Sequence, residues 1–320
     1  MPRILLTTTS FQDTPGSHHA MLDAAGFEII RERGPLSEET MLRLVGDLDG
    51  LLCGDDAITA RVIEKALPRL KVISKYGIGL DKIDVKHATK LNLPVLFTPG
   101  VNHTTVAEHT FALLLALQRR VVELSNYVHA GSWKRVTGHE LMGSTLGIVG
   151  LGRIGKEVAI RAKAFGMNLV GFGNFWEEDF AASVGMKRCA SIDELIAQAN
   201  IITLHTKLTD ETRGMFNAQR LSKLRPETVI VNCARGEILD TAALVEALAS
   251  GEIAGYAADV MDQEPPPADH PLLKAKNCII TPHVGSRTHE NVQRQATMAV
   301  ENIVRFFRGE KPLAQANVTK

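Results

Sequence analysis

Three glycines in the middle of the chain restrict its possible folds more than any other feature of the sequence. The segment Gly150-Leu151-Gly152-Arg153-Ile154-Gly155 follows an apolar run typical of a buried β-strand and precedes a run of helix-forming residues. In such a turn the first glycine permits a tight bend, the second lets a pyrophosphate approach the backbone, and the third lets helix and strand pack closely. The helix N-terminus offers N–H groups to the phosphates, and Arg153 adds a cation. We therefore predict that Gly150, Gly152, Arg153, Ile154 and Gly155 bind a dinucleotide; a purely structural turn is the alternative.

The strand pattern that follows this helix lacks the residue that usually selects the cofactor. An Asp or Glu at its end normally binds the ribose hydroxyls and disfavours a 2′-phosphate, but here the position holds Gly173. The nearest acids, Glu177 and Glu178, come later, and we expect them in the next helix. We predict that Gly173 lines the cofactor site, and the sequence leaves the choice between NAD and NADP open.

Short apolar runs alternate with amphipathic helical patterns on both sides of the glycine turn. This βαβ alternation predicts an α/β fold with parallel sheets covered by helices on both faces. We predict two doubly wound parallel-sheet domains: a Rossmann domain at residues 101–287, inserted into a flavodoxin-like domain made of residues 1–100 and 288–320. A helical pattern runs from about residue 104 to 117, and its continuation to residue 130 is left open. The last helical pattern, residues 288–307, is expected to pack on the first domain.

The composition excludes several classes of protein. Lys plus Arg and Asp plus Glu number 36 each, which argues against a nucleic-acid or anionic-membrane partner. Since no apolar run reaches about eighteen residues and the N-terminus is polar after residue 6, we expect neither a membrane span nor a signal peptide. No metal-binding pattern is present, and we expect reduced cysteines and a cytoplasmic location. The four cysteines are Cys53, Cys189, Cys233 and Cys278.

Polar side chains follow three further strand patterns of the proposed Rossmann domain. Arg235 comes directly after an apolar run, where a guanidinium suits bidentate binding of a carboxylate. His283 can take or give the proton that accompanies hydride transfer at a carbonyl carbon, because imidazole titrates near neutrality. Glu264 would orient that imidazole and favour its charged form. Each residue alone is more often structural, but the carboxyl ends of parallel strands line one crevice, so the three together predict a catalytic group.

With these residues the sequence resembles the D-isomer-specific 2-hydroxyacid dehydrogenases over essentially its whole length. The resemblance implies hydride transfer between a nicotinamide cofactor and C2 of a small D-2-hydroxyacid or 2-keto acid. It also implies a homodimer whose domains close by a hinge motion. The matching motifs are the glycine turn, Asn232-Cys233-Ala234-Arg235-Gly236, Asp259 with Glu264-Pro265, Thr281-Pro282-His283-Val284-Gly285, Gly77-Ile78-Gly79-Leu80-Asp81-Lys82-Ile83-Asp84 and Val106-Ala107-Glu108.

The resemblance also implies a role for each matching residue. His283 is the acid/base, Glu264 its partner, and Arg235 binds the carboxylate and carbonyl of the substrate. Asp259 holds the nicotinamide amide. Three further residues line the cofactor, and three bind substrate from the other domain. The first set is Thr206, Cys233 and Ala234, and the second is Lys75, Ile78 and Gly79.

The substrate is harder to predict than the reaction. The segments Leu146–Gly155 and Val231–Gly236 resemble those of 3-phosphoglycerate dehydrogenases. However, Asp55 and Asp56 replace an arginine of those enzymes and would repel a phosphate, while Lys75 replaces a second arginine without its fork. The sequence also ends soon after the last helical pattern, so we expect no regulatory domain. We predict a small, unphosphorylated acid such as glyoxylate or hydroxypyruvate, with 3-phosphoglycerate dehydrogenase as the alternative.

Two functions of other kinds are compatible with the same fold. Some relatives act as dinucleotide-sensing corepressors that bind proteins, but no feature of this sequence requires that role. Phosphite oxidation would use the same Arg and His, but it generally needs another cation in the substrate loop, which Ile78 and Gly79 do not supply.

Overall fold

A computed structural model describes residues 1–319, which form two compact units. The inserted unit is His103–Ser286, and the split unit consists of Met1–Asn102 together with the segment that begins at Arg287. Both units are layers of helices on one parallel sheet. In the part of the chain that is described, no helix has the length and apolar character that crossing a membrane requires.

The split unit contains a five-stranded parallel sheet in the order β2-β1-β3-β4-β5. This is the flavodoxin order, as predicted. Its strands are β1 Arg3–Leu6, β2 Glu28–Arg31, β3 Gly50–Cys53, β4 Val72–Lys75 and β5 Val95–Leu96. Its helices are α1 Thr9–Asp13, α2 Ser17–Ala24, α3 Glu38–Leu44, α4 Ala60–Ala66, α5 Val85–Lys90 and α13 His289–Phe307, with a 3-10 turn at Val45–Asp47.

Local chemistry explains where the helices of the split unit begin. The Ser37 and Thr59 side chains accept hydrogen bonds from the N–H groups of Thr40 and Val62 and so cap α3 and α4. The long helix α13 buries one face at helical spacing, and it packs on β3, β4 and β5 of the same unit. The buried residues of that face are Val292, Ala296, Ala299, Val300 and Ile303.

The inserted unit contains a seven-stranded parallel sheet in the order β12-β11-β10-β9-β6-β7-β8. The order reverses between β6 and β9, as in a Rossmann fold, and the crevice at this reversal is where such sheets bind ligands. Its strands are β6 Thr145–Val149, β7 Asn168–Phe172, β8 Met186–Arg188, β9 Ile201–Leu204, β10 Val229–Asn232, β11 Gly255–Ala258 and β12 Cys278–Ile280. Its helices are α6 His103–Gln118, α7 Val121–His129, α8 Arg153–Ala164, α9 Glu178–Val184, α10 Ile192–Gln198, α11 Ala218–Leu221 and α12 Thr241–Ser250, with 3-10 turns at Gly236–Ile238 and Pro271–Lys274.

The two-domain α/β fold is confirmed, but the structure corrects some of its details. The helical pattern that begins near residue 104 does not continue as one helix to residue 130, because Arg120 adopts a left-handed backbone (φ +53°) that separates α6 from α7. The strands β2, β5 and β8 were not predicted. In β8 only Met186 is buried, so its sequence has no apolar alternation to indicate a strand.

Candidate active site

Two glycines of the Gly150–Gly155 turn are required by the fold itself. Gly150 has φ +98°, and a Cβ there would lie 2.7 Å from the His205 carbonyl oxygen. A Cβ on Gly155 would lie 2.1 Å from the carbonyl oxygen of Gly150. The turn therefore packs tightly between the ends of β6 and β9, at the reversal of strand order.

Close packing within the protein does not explain why residue 152 is a glycine. Its φ is −70°, which any residue adopts, and apart from its neighbours in the chain no protein atom is found within 4 Å of a Cβ built on it. The position faces open space at the N-terminus of α8, where the first N–H groups of a helix attract anions. A pyrophosphate at this point would need the space that a side chain at residue 152 would fill. The residues present therefore fit the phosphates of a dinucleotide, with Arg153 exposed beside them.

Gly173 lies next to the same turn. Gly150 N–H donates to the Phe172 carbonyl at 2.8 Å, and a Cβ on Gly173 would lie 3.4 Å from Leu151 N. A longer side chain at 173 would therefore contact the turn directly. The acids that follow have cationic partners: Glu177 forms an ion pair with Lys156, and Glu178 with Arg188.

The end of β9 places His205 and Thr206 on the other side of the glycine turn. His205 N–H donates to the Val149 carbonyl at 2.8 Å, and its Nε2 lies 2.8 Å from Thr203 Oγ1. Burial lowers the pKa of His205 to about 3, so this imidazole is neutral. Thr206 is half-buried.

The loop after β10 presents Arg235. Buried Asn232 clamps the loop, because its Oδ1 accepts the Ala234 N–H and its Nδ2 donates to the Arg235 carbonyl, each at 2.9 Å. The guanidinium donates to the Ala234 carbonyl at 2.7 Å. A Cβ on Gly236 would lie 2.1 Å from the backbone of residues 261 and 262. Only glycine thus lets this loop pack against the segment that leads to Glu264.

Glu264 and His283 form the pair that the sequence predicts. Glu264 Oε2 lies 2.7 Å from His283 Nδ1, and Oε1 accepts the Met261 N–H at 2.8 Å. The carboxylate is therefore held by the backbone while it orients the imidazole. The His283 side chain is 36% exposed and that of Glu264 33%, so the pair is accessible to a ligand.

Asp259 has more partners than its predicted role requires. Its carboxylate accepts the Thr281 hydroxyl at 2.6 Å and the N–H groups of Val284 and Gly285 at 2.9 and 2.6 Å. Burial alone would raise the pKa of Asp259, but these bonds and one from His109 outweigh it and lower the pKa. Asp259 is therefore an ionised anchor for the loop on both sides of His283. Sequence reasoning missed His109 and gave Thr281 no role.

The thiols that follow β10 and begin β12 are unreactive. Cys233 follows β10 directly, and burial raises its pKa to about 12. Burial likewise raises the pKa of Cys278 to about 12. A thiol with such a pKa is protonated at neutral pH and does not act as a nucleophile. Cys233 and the buried Ala234 can contribute only shape and apolar contact.

In the split unit, Lys75 lies beneath the loop that contains Ile78 and Gly79. Its Nζ donates to the Gly54 carbonyl at 2.5 Å and to Asp55 Oδ1 at 2.6 Å, and its side chain is 3% exposed. A Cβ on Gly77 would lie 3.0 Å from Lys75 Cε. Ile78 and Gly79 are half-buried.

Of the two aspartates that were expected to repel a phosphate, Asp56 is placed where it cannot do so. Asp56 is fully buried and turns inward, where it accepts the Thr7 hydroxyl and the N–H groups of Leu36 and Gly54. It is therefore a structural residue and does not face a ligand. Asp55 is the carboxylate that remains, and Lys75 balances its charge.

Comparisons with known proteins agree with this geometry. Residues 111–285 match the family model "D-isomer specific 2-hydroxyacid dehydrogenase, NAD binding domain". A glyoxylate reductase of Korarchaeum cryptofilum is 41% identical over 292 residues, 89% of this chain and 87% of that protein. A D-3-phosphoglycerate dehydrogenase of Methanocaldococcus jannaschii is also 41% identical, over 86% of this chain but 53% of that protein. The crystal structure of an NAD-dependent formate dehydrogenase from Staphylococcus aureus in complex with NAD has a TM-score of 0.87 and 30% identity, with full coverage of both chains.

The chain belongs to the D-isomer-specific 2-hydroxyacid dehydrogenase family, and it is an oxidoreductase with an NAD-binding domain. The predicted family, fold class and enzyme class are confirmed. The family match and the glyoxylate reductase relative favour an enzyme over the corepressor alternative.

Proposed function

We propose that this enzyme transfers a hydride between a nicotinamide dinucleotide and C2 of a small, unphosphorylated 2-keto acid of the glyoxylate or hydroxypyruvate type. The observation that carries the proposal is the 2.7 Å contact between His283 and Glu264. Arg235 follows β10, and β11 alone separates β10 from β12, which leads to His283. The base and the cation therefore lie at one edge of the sheet.

The inserted unit would hold a nicotinamide cofactor, which in its reduced form would supply the hydride for C2 of the keto acid. The carbonyl oxygen, which becomes negative, takes a proton from the His283 imidazolium, and the products are the 2-hydroxyacid and the oxidised cofactor. Glu264 stabilises the imidazolium before the transfer. Arg235 binds the substrate carboxylate and polarises the carbonyl. In the oxidation, neutral His283 accepts the hydroxyl proton.

The cofactor is assigned to the inserted unit. Gly150, Gly152, Arg153, Ile154 and Gly155 would hold the pyrophosphate, which is supported by the open position at Gly152. Gly173 would lie at the adenosine ribose, where no carboxylate repels a 2′-phosphate, so we propose that both NADH and NADPH are accepted. The further contacts are Thr206, Cys233 and Ala234 along the cofactor and Asp259 at the nicotinamide amide.

The substrate assignment depends on the split unit. Ile78 and Gly79 would bind the substrate carboxylate through their N–H groups, with Lys75 beneath them. Because Asp55 neutralises Lys75, this region lacks the surplus positive charge that a phosphate needs. The likeness to the Methanocaldococcus jannaschii enzyme favours 3-phosphoglycerate dehydrogenase as a second candidate.

A panel of 2-keto acids tests the substrate class and the cofactor together. Glyoxylate, hydroxypyruvate, pyruvate and 3-phosphohydroxypyruvate are each reduced with NADH and with NADPH, and kcat/KM is compared. We expect the unphosphorylated two- and three-carbon acids to be preferred, with both cofactors active. A clear preference for 3-phosphohydroxypyruvate would instead establish the second candidate, and failure of every acid would overturn the proposal.

We also propose that the enzyme is a cytoplasmic homodimer. Helix α7 buries none of its residues, and Val122, Val128 and Trp133 are exposed large hydrophobic side chains, Trp133 at 76%. Exposed apolar patches of this kind mark interfaces. All four cysteines are free thiols, which supports a reducing compartment. Light scattering of the protein and of Trp133→Glu tests the dimer, and we expect the variant to be monomeric.

A further inference from the structure

A histidine on α6 is bonded to the loop that carries His283. His109 Nε2 lies 2.9 Å from Thr281 Oγ1 and 3.3 Å from Asp259 Oδ1. The ring also lies close to Gly285, since a Cβ on that glycine would be 3.4 Å from His109 Cδ2. His109 therefore supports the loop on both sides of His283.

The direction of these hydrogen bonds follows from the protons available. Thr281 has one hydroxyl proton, and its oxygen lies 2.6 Å from Asp259 Oδ1. An ionised carboxylate accepts only, so the Thr281 proton points to Asp259. The Thr281 oxygen must then accept from His109, which places a proton on His109 Nε2. His109 is thus the donor at the start of the series His109, Thr281, Asp259.

The loop that this series holds has a demanding conformation. His283 has φ +53°, a left-handed backbone that a non-glycine residue keeps only when its surroundings fix it. The N–H groups of Val284 and Gly285, which follow it, both donate to Asp259. The orientation of the Asp259 carboxylate therefore sets the position of the His283 backbone.

Helix α6 is a suitable anchor for such a series. The helix packs on β10, β11 and β12 through buried residues such as Ala107, Phe111 and Leu114. His109 is therefore fixed relative to the three strands whose ends carry Arg235, Asp259 and His283. A donor on this helix therefore connects the loop that contains His283 to the packed sheet.

We propose that His109 is a positioning residue for the reaction, which holds His283 in place through Thr281 and Asp259. The proposal rests on the proposed role of His283 as acid/base. Without the His109 donor, Thr281 and Asp259 can reorient, and the imidazole moves relative to the substrate carbonyl. Small displacements of a catalytic group reduce the rate strongly, while the groups assigned to the cofactor phosphates and the substrate carboxylate stay in place.

The experiment compares His109→Leu, which removes the donor, with His109→Gln, which keeps an N–H donor on a side chain of similar length. His139→Leu makes the same chemical change at an exposed histidine of the same unit, and His283→Ala provides the reference for loss of the acid/base. For each variant we would measure kcat, KM for the preferred 2-keto acid, the dissociation constant of NADH and Tm.

We expect His109→Leu to lower kcat about tenfold or more, with KM for the keto acid within about twofold and a smaller loss of NADH affinity than of kcat. His109→Gln should recover most of the loss, and His139→Leu should equal the parent. A His109→Leu enzyme with the kcat of the parent would overturn the proposal, as would equal impairment of the Leu and Gln variants. A loss confined to NADH affinity would show that His109, Thr281 and Asp259 serve cofactor binding and not the position of His283. If His283→Ala itself kept full activity, the proposed mechanism would fail rather than this inference alone.

Thr281→Val provides an independent route if His109→Leu folds poorly. It removes the hydroxyl that links His109 to Asp259 and preserves side-chain shape. Both residues act on the same Asp259 carboxylate, so the double variant should lose less kcat than the product of the two single losses. Multiplicative losses would show that His109 and Thr281 act separately, which contradicts the proposal.

Discussion

Both units of the protein have a strand end at which an aspartate turns inward to organise a loop. After β11, Asp259 accepts the N–H groups of Val284 and Gly285. After β3, Asp56 accepts the N–H groups of Leu36 and Gly54. The two carboxylates do the same structural work, and neither position alone indicates whether a ligand binds nearby.

The two strand ends differ in their second carboxylate, which is Glu264 in one unit and Asp55 in the other, and in the basic side chain with which that carboxylate pairs. Glu264 pairs with His283, whose side chain is 36% exposed, whereas Asp55 pairs with Lys75, whose side chain is 3% exposed. An exposed imidazole can exchange a proton with a substrate near neutral pH. A buried ammonium held by a carboxylate and a carbonyl oxygen cannot. Similar acid–base pairs would therefore serve the proposed catalysis in one unit and loop architecture in the other.

The largest effect that this comparison predicts is for His283→Ala. The variant should lose about 10²–10⁴-fold in kcat, the usual contribution of a general acid–base, with little change in NADH affinity or Tm. Lys75→Met removes the base of the Asp55–Lys75 pair in the same way, and we expect it to change mainly Tm. Steady-state kinetics and thermal melts of both variants check this, and full activity of His283→Ala would refute the assigned mechanism.

The second effect concerns the inward carboxylate of the split unit. Asp56→Ala leaves the buried Thr7 hydroxyl and the Leu36 N–H without their acceptor, and each such loss costs about 1–3 kcal/mol. We expect the free energy of unfolding of the split unit to fall by at least about 2 kcal/mol in urea denaturation. Asp55→Ala, one residue away, should lower it less than Asp56→Ala does, because the Asp55 side chain is 53% exposed and the Lys75 ammonium keeps the Gly54 carbonyl as an acceptor. Equal losses would contradict the contrast between the two aspartates.

Asp56 also shows what the sequence can and cannot predict. Arg235, Glu264 and His283 were predicted because parallel strands end at one edge of a sheet, so residues that follow the strands gather there. The direction of an individual side chain is not set by that rule. Asp56 turns inward because Leu36 and Thr7, far away in sequence, present donors to it.

The same limit applies to secondary structure and to His109. The strands β2 and β8 lie at sheet edges, and their exposed charged residues hide the apolar alternation that indicates a strand. His109 lies within a helix pattern that reads as purely structural. Its partners Thr281 and Asp259 are more than 140 residues away, so only the folded chain brings them together.

The third prediction uses a histidine that lacks an acidic partner. Burial lowers the pKa of His205 to about 3, so the folded state keeps it neutral while the unfolded chain binds a proton below about pH 6.5. Stability is therefore lost as the pH falls from about 6.5 towards 3. Between pH 7 and pH 5, the parent should lose about 2 kcal/mol more than His205→Asn. Denaturation at both pH values tests this, with His139→Asn as the exposed control; identical losses in all three proteins would contradict it.

The fourth prediction concerns Glu264→Gln. Glutamine keeps an oxygen for the Met261 N–H but removes the negative charge beside His283. The charged imidazole is then less favoured, so the keto-acid reduction should decline at a lower pH than in the parent. The pH profile of kcat/KM measures this shift. An unchanged profile would show that Glu264 orients the ring without influencing its charge.

The smallest expected effect is at Asp55, the partner of the buried lysine. Asp55→Asn removes a charge but keeps the shape, so kcat/KM for glyoxylate should change by less than about twofold, as for surface substitutions outside a catalytic group. The Lys75 charge is no longer balanced, so kcat/KM for 3-phosphohydroxypyruvate should rise several-fold, because a phosphate gains from an uncompensated cation. The ratio of the two values is the measurement. A ratio equal to that of the parent would show that the Asp55–Lys75 pair does not select against phosphorylated acids, and the selectivity would then have to come from the shape of the site.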